Sequence, residues 1–411
     1  MKRVVVTGVG ALSPLGHDWS TVHASLRACR NAVQVIEPWR EYEGLHTLVG
    51  APAQAFELPA DRYNRKSTRS MGRVALLATR ASELALTQAG LLDDPLLRSG
   101  HLGIAYGSSS GTPNAIADFG RMIVDKTTEG IKATTYIKMM GHTAAVNIGV
   151  FFGITGRIVP TSSACTSGAQ GIGYAYEMIR GGRQTAMLAG GAEELDVTEA
   201  AVFDTLFATS VNHNDSPQRT PRPFDADRDG LVLGEGACTF VLEELEHARA
   251  RGAPIMAEVI GYGTNSDGCH VTQPNTETMA IAMKLALADA QLAPADIRYV
   301  NAHGTATEHG DIAETTATQR IFGERVAMAS LKSYMGHTLG ACGALEAWMS
   351  IEMMRAGWFA PTVNLDRVDP RCAELDYIRG EGRRLELDVV MSNNFAFGGI
   401  NTSLIFRRWP S

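Results

Sequence analysis

The sequence predicts a duplicated α/β fold in which helices and sheets alternate in five layers, α-β-α-β-α. The order of strands and helices in the first half recurs in the second half, and that recurrence is the main observation behind the prediction. The strands are continuous apolar runs, which is typical of sheets covered by helices on both faces. Glycine is abundant, with 42 residues against 16 prolines, and this indicates many tight strand-to-helix turns.

The repeat can be followed one element at a time. Each half opens on an apolar strand, continues with an alanine-rich helix and a second strand, and then reaches a strand-and-turn segment that opens a long helix. Two more strands complete each half. The matched segments are strands 3–9 and 256–262, helices 80–91 and 283–292, strands 102–107 and 297–303, turn segments 158–165 and 326–337, helices 168–180 and 340–355, strands 185–191 and 388–394, and strands 238–243 and 402–406.

The boundary between the two halves is predicted near residues 248–254, which gives one half over residues 1–250 and another over residues 251–411. The first half carries extra sequence at about 111–148 and 195–236. Strand signals are weak in both insertions. We expect them to form a dimer interface or to cover the active site.

Composition excludes several classes of protein. A content of 45% hydrophobic and 20% charged residues describes a packed globule, and a net charge of −7 argues against a nucleic-acid partner. The six cysteines are scattered without a CxxC pair, so neither a disulfide framework nor a zinc site is predicted. The apolar start reads as a buried strand and no apolar run reaches membrane-spanning length, so we expect a cytoplasmic protein without a membrane span.

A nucleophile is predicted at Cys165 in the segment Thr161-Ser-Ser-Ala-Cys165-Thr-Ser-Gly168. A strand ends here and a helix with small residues in its first turn begins. The free backbone N–H groups and the positive end of the helix dipole favour a thiolate and can hold an oxyanion. Taken alone, a cysteine in such a turn is more often a buried structural thiol.

Two histidines are predicted to face this cysteine. His303 follows a strand in Asn301-Ala-His303-Gly, and His337 lies in Lys332-Ser-Tyr-Met-Gly-His337, the second-half counterpart of the Cys165 turn. Strand ends of a doubled α/β unit meet at a common crevice, so the three side chains are expected to converge. Metal ligation is the competing use of paired histidines, and we discount it because no third ligand of suitable spacing accompanies them.

These motifs resemble the elongating β-ketoacyl-acyl-carrier-protein synthases of the thiolase-like superfamily over nearly the whole chain. The segments TSSACTSG, HGTAT, KSYMGH with GACGALE, and NNFAFGGIN match the family's motifs in order and spacing. The resemblance implies a thiolase-like fold and an acyltransferase that condenses an acyl thioester with malonyl carrier protein to give a 3-oxoacyl product. Cys165 then carries the acyl chain, and its N–H and that of Phe397 form the oxyanion hole.

The same resemblance assigns roles to the other residues. His303 and His337 donate hydrogen bonds to the malonyl thioester carbonyl, Lys332 tunes their electrostatics and Glu314 holds the local network. Phe397 is the gate between the acyl and malonyl pockets, and Gly398 and Gly399 let its loop move. The predicted substrate-binding residues are Thr305, Thr307, His270, Thr272 and, at the depth of the acyl pocket, Ser110.

The resemblance also implies partners. Substrates arrive on the phosphopantetheine of an acyl carrier protein, so no cofactor is required. Lys66 and Arg69, from a basic cluster that also fits a solvated helix face, match the family's docking patch for this acidic partner. A homodimer is expected, with a heterodimer of two ketosynthases as the other arrangement. Asn301, Glu346, Ser392 and Asn393 match a site for a structural monovalent cation, although internal hydrogen bonding is their ordinary role.

Departures from the family pattern bear on the substrate. Ala396 replaces the usual glycine of the gate loop, Asn394 replaces a common serine, and Glu308 and His309 stand where the family often has proline and a small residue. Ser110, a small polar residue at the depth of the acyl pocket, would admit long, rigid or unsaturated chains. We therefore expect a specialised ketosynthase of a polyene or related pathway. A thiolase is disfavoured because the gate loop lacks a second cysteine. A non-condensing partner of the chain-length-factor type, or a scaffold subunit, remains the alternative, although such partners lose the nucleophilic cysteine.

Overall fold

The computed structural model describes residues 1–410 and confirms a mixed α/β fold with the predicted duplication. The strands are β1 (Val4–Leu12), β2 (Gln34–Val35), β3 (Val49–Ala51), β4 (Leu102–Gly107), β5 (Ile158–Pro160), β6 (Ala186–Glu193), β7 (Leu233–Gly234), β8 (Gly236–Glu244), β9 (Ala257–Ser266), β10 (Tyr299–Asn301), β11 (Ala327–Ala329), β12 (Trp358–Phe359), β13 (Asp376–Tyr377), β14 (Arg383–Arg384), β15 (Val389–Ala396) and β16 (Ile400–Arg408).

The helices alternate with these strands. They are α1 (Trp19–Arg27), α2 (Arg65–Thr68), α3 (Arg73–Ala89), α4 (Pro113–Asp125), α5 (Ala133–Met139), α6 (Thr143–Phe152), α7 (Ser167–Arg180), α8 (Val197–Thr205), α9 (Leu245–Ala250), α10 (Thr276–Ala290), α11 (Glu308–Phe322), α12 (Lys332–Met335) and α13 (Cys342–Ala356). Short 3-10 turns lie at Glu37–Glu41, Pro95–Arg98, Pro217–Arg219, Pro294–Asp296 and Leu339–Ala341.

The strand order shows the repeat directly. The main sheet has eleven strands in the order β13-β11-β10-β15-β16-β9-β1-β8-β6-β4-β5. From the central β9–β1 pair outward, the two halves run β1-β8-β6-β4-β5 and β9-β16-β15-β10-β11, with the same sequence of antiparallel and parallel pairings. The half-sheets are joined where Val4–Val6 of β1 pair with residues 257–259 of β9.

Helices cover both faces of each half-sheet. α7 and α13 contact strands of both halves and form the central layer, while α3 with α6 and α10 with α11 form the outer layers. Three large apolar clusters fill the spaces between these layers. The predicted order α-β-α-β-α follows from this packing. The division into domains at residue 250 stays a prediction.

Glycines on the opening strands let the outer helices approach in the same way in both halves. A Cβ atom at Gly10 of β1 would lie 2.1 Å from the carbonyl oxygen of Ala81 in α3. A Cβ atom at Gly263 of β9 would lie 2.1 Å from the carbonyl oxygen of Ala282 in α10. The duplication therefore extends to the backbone contact between strand and helix.

The two insertions of the first half are largely helical. The first contains α4, α5 and most of α6, and the second contains α8 and the irregular chain that leads to β7. Within residues 1–410, no helix combines the length and the apolar character that a membrane crossing requires.

Candidate active site

Cys165 lies in a tight turn between β5 and α7. Ala164 adopts a left-handed φ of 52°, and the Ser167 hydroxyl donates to the Ala164 carbonyl at 2.7 Å. The Thr166 hydroxyl donates to the Ser163 carbonyl at 2.8 Å. These bonds hold Cys165 two residues before α7 begins, with the side chain buried. The predicted position at the start of a helix is therefore correct.

Both predicted histidines reach this turn from the second half. His303 follows β10, and His337 lies between α12 and α13. The Cys165 sulfur and one nitrogen of each ring all lie within 4.8 Å of one another. The two rings meet edge to face, with centroids 5.1 Å apart. The convergence predicted from the duplicated topology is present in the structure.

Burial acts on the ionisation of the Cys165 thiol. Burial raises the pKa of Cys165 to about 12, and the opposing effects of Lys332 and of the backbone N–H of Phe397 do not overcome it. The net direction is upward because desolvation disfavours the thiolate more than these two groups favour it. In the free protein the nucleophile is therefore a neutral thiol that needs a base when it reacts.

The histidines are also neutral. Burial lowers the pKa of His303 well below its ordinary value, and the positive charge of Lys332 and the His337 ring act in the same direction. Burial and Lys332 lower the pKa of His337 likewise. Each neutral ring keeps one N–H group that can donate to developing negative charge.

Lys332 lies behind the histidines as part of a buried ion pair. Its side chain is 1% exposed, and its Nζ lies 2.5 Å from Oε1 of Glu346 on α13. Burial lowers the pKa of Lys332, but the facing groups Cys342 and Glu346 more than offset that effect and the net direction is upward. The ammonium is therefore a fixed positive charge close to the reacting groups.

Glu314 of α11 holds the backbone around His303. Its two carboxyl oxygens accept the N–H groups of His303 and Gly304, both at 2.7 Å. Burial raises the pKa of Glu314 to about 8, against the lowering effect of those two bonds. This geometry agrees with the predicted role of Glu314 in holding the local network.

A cavity of about 500 Å³ leads to the three reacting side chains. Several predicted residues line it, namely Glu314, Thr305, Thr307, Thr272, Phe397 and Gly399. The Thr305 and Thr307 hydroxyls lie 2.9 Å apart, so they present adjacent polar groups to whatever enters. The predicted residues that lie outside the lining are Ser110, His270, Gly398, Lys332, Lys66 and Arg69, together with the four cation residues Asn301, Glu346, Ser392 and Asn393.

Three of these outlying residues have surroundings that bear on their predicted roles. The Ser110 hydroxyl donates to the carbonyl of the next residue at 3.1 Å, which does not by itself place Ser110 at the depth of a pocket. Lys66 in α2 and Arg69 just after it are exposed, as a docking surface requires. The roles of all three stay predictions.

The gate loop is held by backbone hydrogen bonds to the segment after β9. Gly398 and Gly399 have φ values of 89° and 72°, which glycine adopts without strain. The Gly398 N–H donates to the Val271 carbonyl at 2.8 Å, and the Asp267 N–H donates to the Gly399 carbonyl at 2.8 Å. The Phe397 ring packs on Phe203 of α8, with centroids 5.2 Å apart.

The residues predicted to hold a monovalent cation are all buried beside this site. The amide of Asn301 donates to Ser392 at 3.2 Å and approaches Glu346 at 3.5 Å. The Oδ1 atoms of Asn301 and Asn393 have no hydrogen-bond partner within residues 1–410. Two such oxygens near a carboxylate fit a hard cation. Lys332 already neutralises the carboxylate of Glu346, however. An internal ion pair therefore accounts for one of the four predicted ligands.

The structure removes one reason for discounting a transition metal. The sequence shows no third ligand of suitable spacing for the two histidines, but Cys165 itself lies within 4.8 Å of both. On geometry alone, the three side chains therefore fit either of two roles. They are a metal site, or a nucleophile with two imidazole donors.

Some residues that the structure brings to the site had no role predicted from the sequence. Asn394 contacts Glu346, Cys342 and His303, and Phe203 supports the gate. Strand alternation offered a signal for Asn394, because it shares a face of β15 with Ser392. Nothing in the sequence pairs Phe203 with a loop almost two hundred residues away.

Comparisons with known proteins identify the family of the chain. The family models described as Beta-ketoacyl synthase, N-terminal domain and C-terminal domain match residues 1–248 and 256–366. The chain is 35% identical to 3-oxoacyl-[acyl-carrier-protein] synthase 1 of Haemophilus influenzae over 100% of both chains. It is similar to a solved β-ketoacyl synthase from Burkholderia phymatum, with 60% identity, a TM-score of 0.98 and 100% coverage of both chains.

A more distant solved structure is also similar. It holds a type II polyketide acyl-carrier protein in complex with its ketosynthase bound to the hexaketide, at 28% identity, a TM-score of 0.89 and 100% coverage of both chains. These matches extend over the Cys165 turn and both histidine segments. The chain therefore belongs to the β-ketoacyl synthase family, which makes it an enzyme of the acyltransferase class.

Proposed function

We propose that the protein condenses an acyl thioester with malonyl carrier protein, with loss of carbon dioxide, to give a 3-oxoacyl carrier protein. The observation that carries the proposal is the meeting of Cys165, His303 and His337 within 4.8 Å at the end of the cavity. A nucleophile and two neutral N–H donors are the groups that such a reaction needs.

The first half-reaction is acyl transfer to Cys165. The neutral thiol gives its proton to an imidazole, the sulfur attacks the thioester carbonyl, and the pantetheine thiol leaves with a proton. The backbone N–H groups of Phe397 and Cys165 both act to lower the pKa of the Cys165 thiol. They are therefore the proposed donors to the tetrahedral oxyanion that forms on the attacked carbon.

The second half-reaction is decarboxylation and carbon–carbon bond formation. The bond from the malonyl α-carbon to its carboxylate breaks, and the electron pair passes into the thioester as an enolate. The N–H groups of His303 and His337 stabilise that enolate oxygen, and the α-carbon attacks the acyl carbonyl on Cys165. The Cys165 thiolate leaves and recovers a proton, and the product is two carbons longer.

Substrate delivery is the next part of the proposal. Thr305 and Thr307 line the cavity and can hydrogen-bond the amides of a pantetheine arm, with Thr272 nearby. The carrier protein is acidic in this family, so the exposed cations Lys66 and Arg69 are the proposed docking residues. No cofactor enters these steps.

A monovalent cation forms a separate part of the proposal. The residues that would hold it are Asn301, Glu346, Ser392 and Asn393, on the strength of the unpartnered amide oxygens of the two asparagines. When bound, such an ion supplies positive charge that supports the local structure. The chemical steps do not depend on it.

A homodimer is proposed from the outer edge of the first half. β5 is the last strand of the sheet and Ile158 is 40% exposed, while the adjoining insertion exposes Ile123 at 60% and Val124 at 77%. An unpaired strand edge with an exposed apolar side chain favours pairing with a second copy of the chain. The heterodimer with another ketosynthase is the other arrangement.

The non-condensing alternative is less well supported, because Cys165 is present and faces both histidines. The pathway stays a prediction, between fatty acid and polyene or polyketide-type biosynthesis, and Ser110 together with the departures in the gate loop points to a specialised acyl chain such as a polyene. The location of the protein in the cell also stays a prediction.

Intact-mass measurement tests the proposal. The protein is incubated with carrier proteins that bear acyl chains of different length and unsaturation, and then with malonyl carrier protein. We expect an acyl adduct on the wild-type protein, none on Cys165→Ala, and a product two carbons longer after malonyl carrier protein is added. Absence of an adduct with every chain would contradict condensation and favour the non-condensing role.

A further inference from the structure

Asn394 occupies a buried position on β15 between the ion pair and the active site. It stands where related synthases commonly have serine. Its backbone carbonyl accepts the Thr402 hydroxyl at 3.0 Å, so the strand position is fixed by the neighbouring β16. A carboxamide at this place therefore points at a defined set of groups.

One nitrogen atom of Asn394 makes all of its side-chain contacts. Nδ2 lies 2.9 Å from Oε2 of Glu346, 3.5 Å from Nδ1 of His303 and 3.5 Å from the sulfur of Cys342. The Glu346 carboxylate accepts hydrogen bonds and does not donate them. The amide must therefore direct its NH₂ group, and not its oxygen, towards these neighbours.

The number of hydrogens distinguishes asparagine from serine here. The NH₂ group carries two hydrogens, and the shorter contact to Glu346 uses one of them. The second hydrogen remains for Nδ1 of His303 or for the Cys342 sulfur. A serine hydroxyl has a single hydrogen, so it cannot donate to Glu346 and His303 at the same time.

We propose that Asn394 is a positioning residue that holds His303 in the tautomer with the hydrogen on Nε2, by donating a hydrogen bond to Nδ1. The inference rests on the proposed condensation, in which His303 must donate to the enolate oxygen. In the neutral ring only one nitrogen carries a hydrogen, so an Nδ1 that accepts a hydrogen bond leaves the donor on Nε2.

The two histidines differ in this respect. Nδ1 of His337 has no hydrogen-bond partner among the described residues, whereas Nδ1 of His303 faces the Asn394 amide. Asn394 also joins His303 to the Lys332–Glu346 pair through one amide group. The Lys332–Glu346 ion pair therefore orients the Asn394 amide, and the amide in turn orients the His303 ring.

The experiment compares Asn394→Ser, Asn394→Ala and Cys342→Ala with the wild type. The histidines are labelled with ¹⁵N, and the His303 signals are assigned from their loss in His303→Gln. Two activities are followed beside the spectra, namely acyl transfer to Cys165 and release of carbon dioxide from malonyl carrier protein. Cys342→Ala is the matched control, because it removes the competing sulfur and keeps the amide.

We expect His303 to be the Nε2–H tautomer in the wild type and in Cys342→Ala, and a mixture of tautomers in both Asn394 variants. Carbon dioxide release should fall about five- to tenfold in Asn394→Ser, which is the effect of one hydrogen bond, while acyl transfer stays within about twofold. Asn394→Ser is expected to fold, because serine is common at this place in the family.

Three results would overturn the inference. They are an unchanged tautomer in both Asn394 variants, the Nδ1–H tautomer in the wild type, and an equal loss of both activities. A wild-type protein that forms no acyl adduct and releases no carbon dioxide would instead contradict the proposed function, and the tautomer measurement would still stand by itself.

Discussion

The Cys165 turn and the His337 turn occupy equivalent places in the two halves of the molecule. Each follows the equivalent parallel strand of its half, β5 or β11, and each precedes a helix of the central layer, α7 or α13. The first turn supplies a thiol and the second an imidazole. Equivalent backbones therefore place unlike chemical groups next to each other in one cavity.

Close packing of the central helices brings the turns together. A Cβ atom at Gly168 of α7 would lie 3.0 Å from the carbonyl oxygen of Gly340, and one at Gly191 would lie 2.1 Å from that same oxygen. Small residues on both sides let the two turns approach across the centre of the molecule. The duplication thus works as a way to assemble a site from two halves that divide the chemistry between them.

The largest expected effect is that substitutions on the cysteine side and on the histidine side of the site impair different half-reactions. His337→Ala and His303→Ala should each slow condensation about a hundred- to a thousandfold, because each removes a donor to the enolate, while acyl transfer to Cys165 continues. Cys165→Ala should abolish the acyl adduct and still release carbon dioxide from malonyl carrier protein. Intact mass and carbon dioxide release measure the two activities, and loss of both in every variant would show that the halves are not divided in this way.

The outer edges of the halves differ, and this difference predicts the dimer interface. β11 is covered by β13, whereas β5 is the open end of the sheet. Ile158→Lys should weaken the dimer about a hundredfold or more, because a charge would be buried at the edge-to-edge contact. Light scattering over a dilution series measures the change.

A matched variant exists in the second half. Ile281 of α10 is 46% exposed, similar to Ile158, and lies away from the strand edge. Ile281→Lys should leave the dimer intact. Equal weakening by both substitutions would argue against β5 as the interface.

Burial shifts the pKa of the thiol and the pKa of the histidines in opposite directions. The pH dependence of their reactions measures these shifts. Burial raises the pKa of the Cys165 thiol to about 12 and lowers the pKa of both histidines well below the ordinary value of 6.5. Alkylation of Cys165 by iodoacetamide needs the thiolate, so its rate should rise about tenfold per pH unit between pH 7 and 10 without a plateau. Cys165→Ala measures the background from other cysteines.

The shift of the histidines should be visible at low pH, in the rate of carbon dioxide release. A lowered pKa keeps an imidazole neutral as the pH falls through its ordinary pKa, so release of carbon dioxide should stay constant down through pH 6.5. A fall in rate centred on pH 6.5 would mean that the rings are not buried as described. A plateau in alkylation near pH 7 would mean the same for the thiol.

The smallest effect is expected at the surface. Lys66→Glu with Arg69→Glu should raise the KM for the carrier protein about three- to tenfold and leave kcat unchanged, because exposed charges act mainly on association. Increasing salt should reduce the difference. An unchanged KM would remove both residues from the docking surface.

The fold and the reacting groups could be predicted from the sequence because both are local patterns that recur. Apolar runs separated by small-residue turns showed the two halves, and the topology then brought Cys165, His303 and His337 together. The effect of burial on Cys165 could not be predicted in this way, because the desolvation that raises the pKa of the thiol depends on the packed structure.

Side-chain networks could not be predicted in the same way. Asn394 appeared only as a departure from the family pattern, since its partners Glu346 and His303 are 48 and 91 residues away in the chain. The Phe203–Phe397 contact depends likewise on where an insertion folds back. Such contacts need the packed structure, because no short-range pattern specifies them.

A single-turnover experiment tests the central claim most directly. Protein acylated on Cys165 is mixed with malonyl carrier protein, and the acyl adduct and the product are followed by mass. We predict that the wild type transfers its acyl chain to a product two carbons longer, and that the single variants His303→Ala and His337→Ala, each of which keeps one imidazole for acylation, largely retain the adduct on Cys165. Equal rates of turnover in the three proteins would contradict the claim that a thiol from one half and imidazoles from the other act on a single thioester.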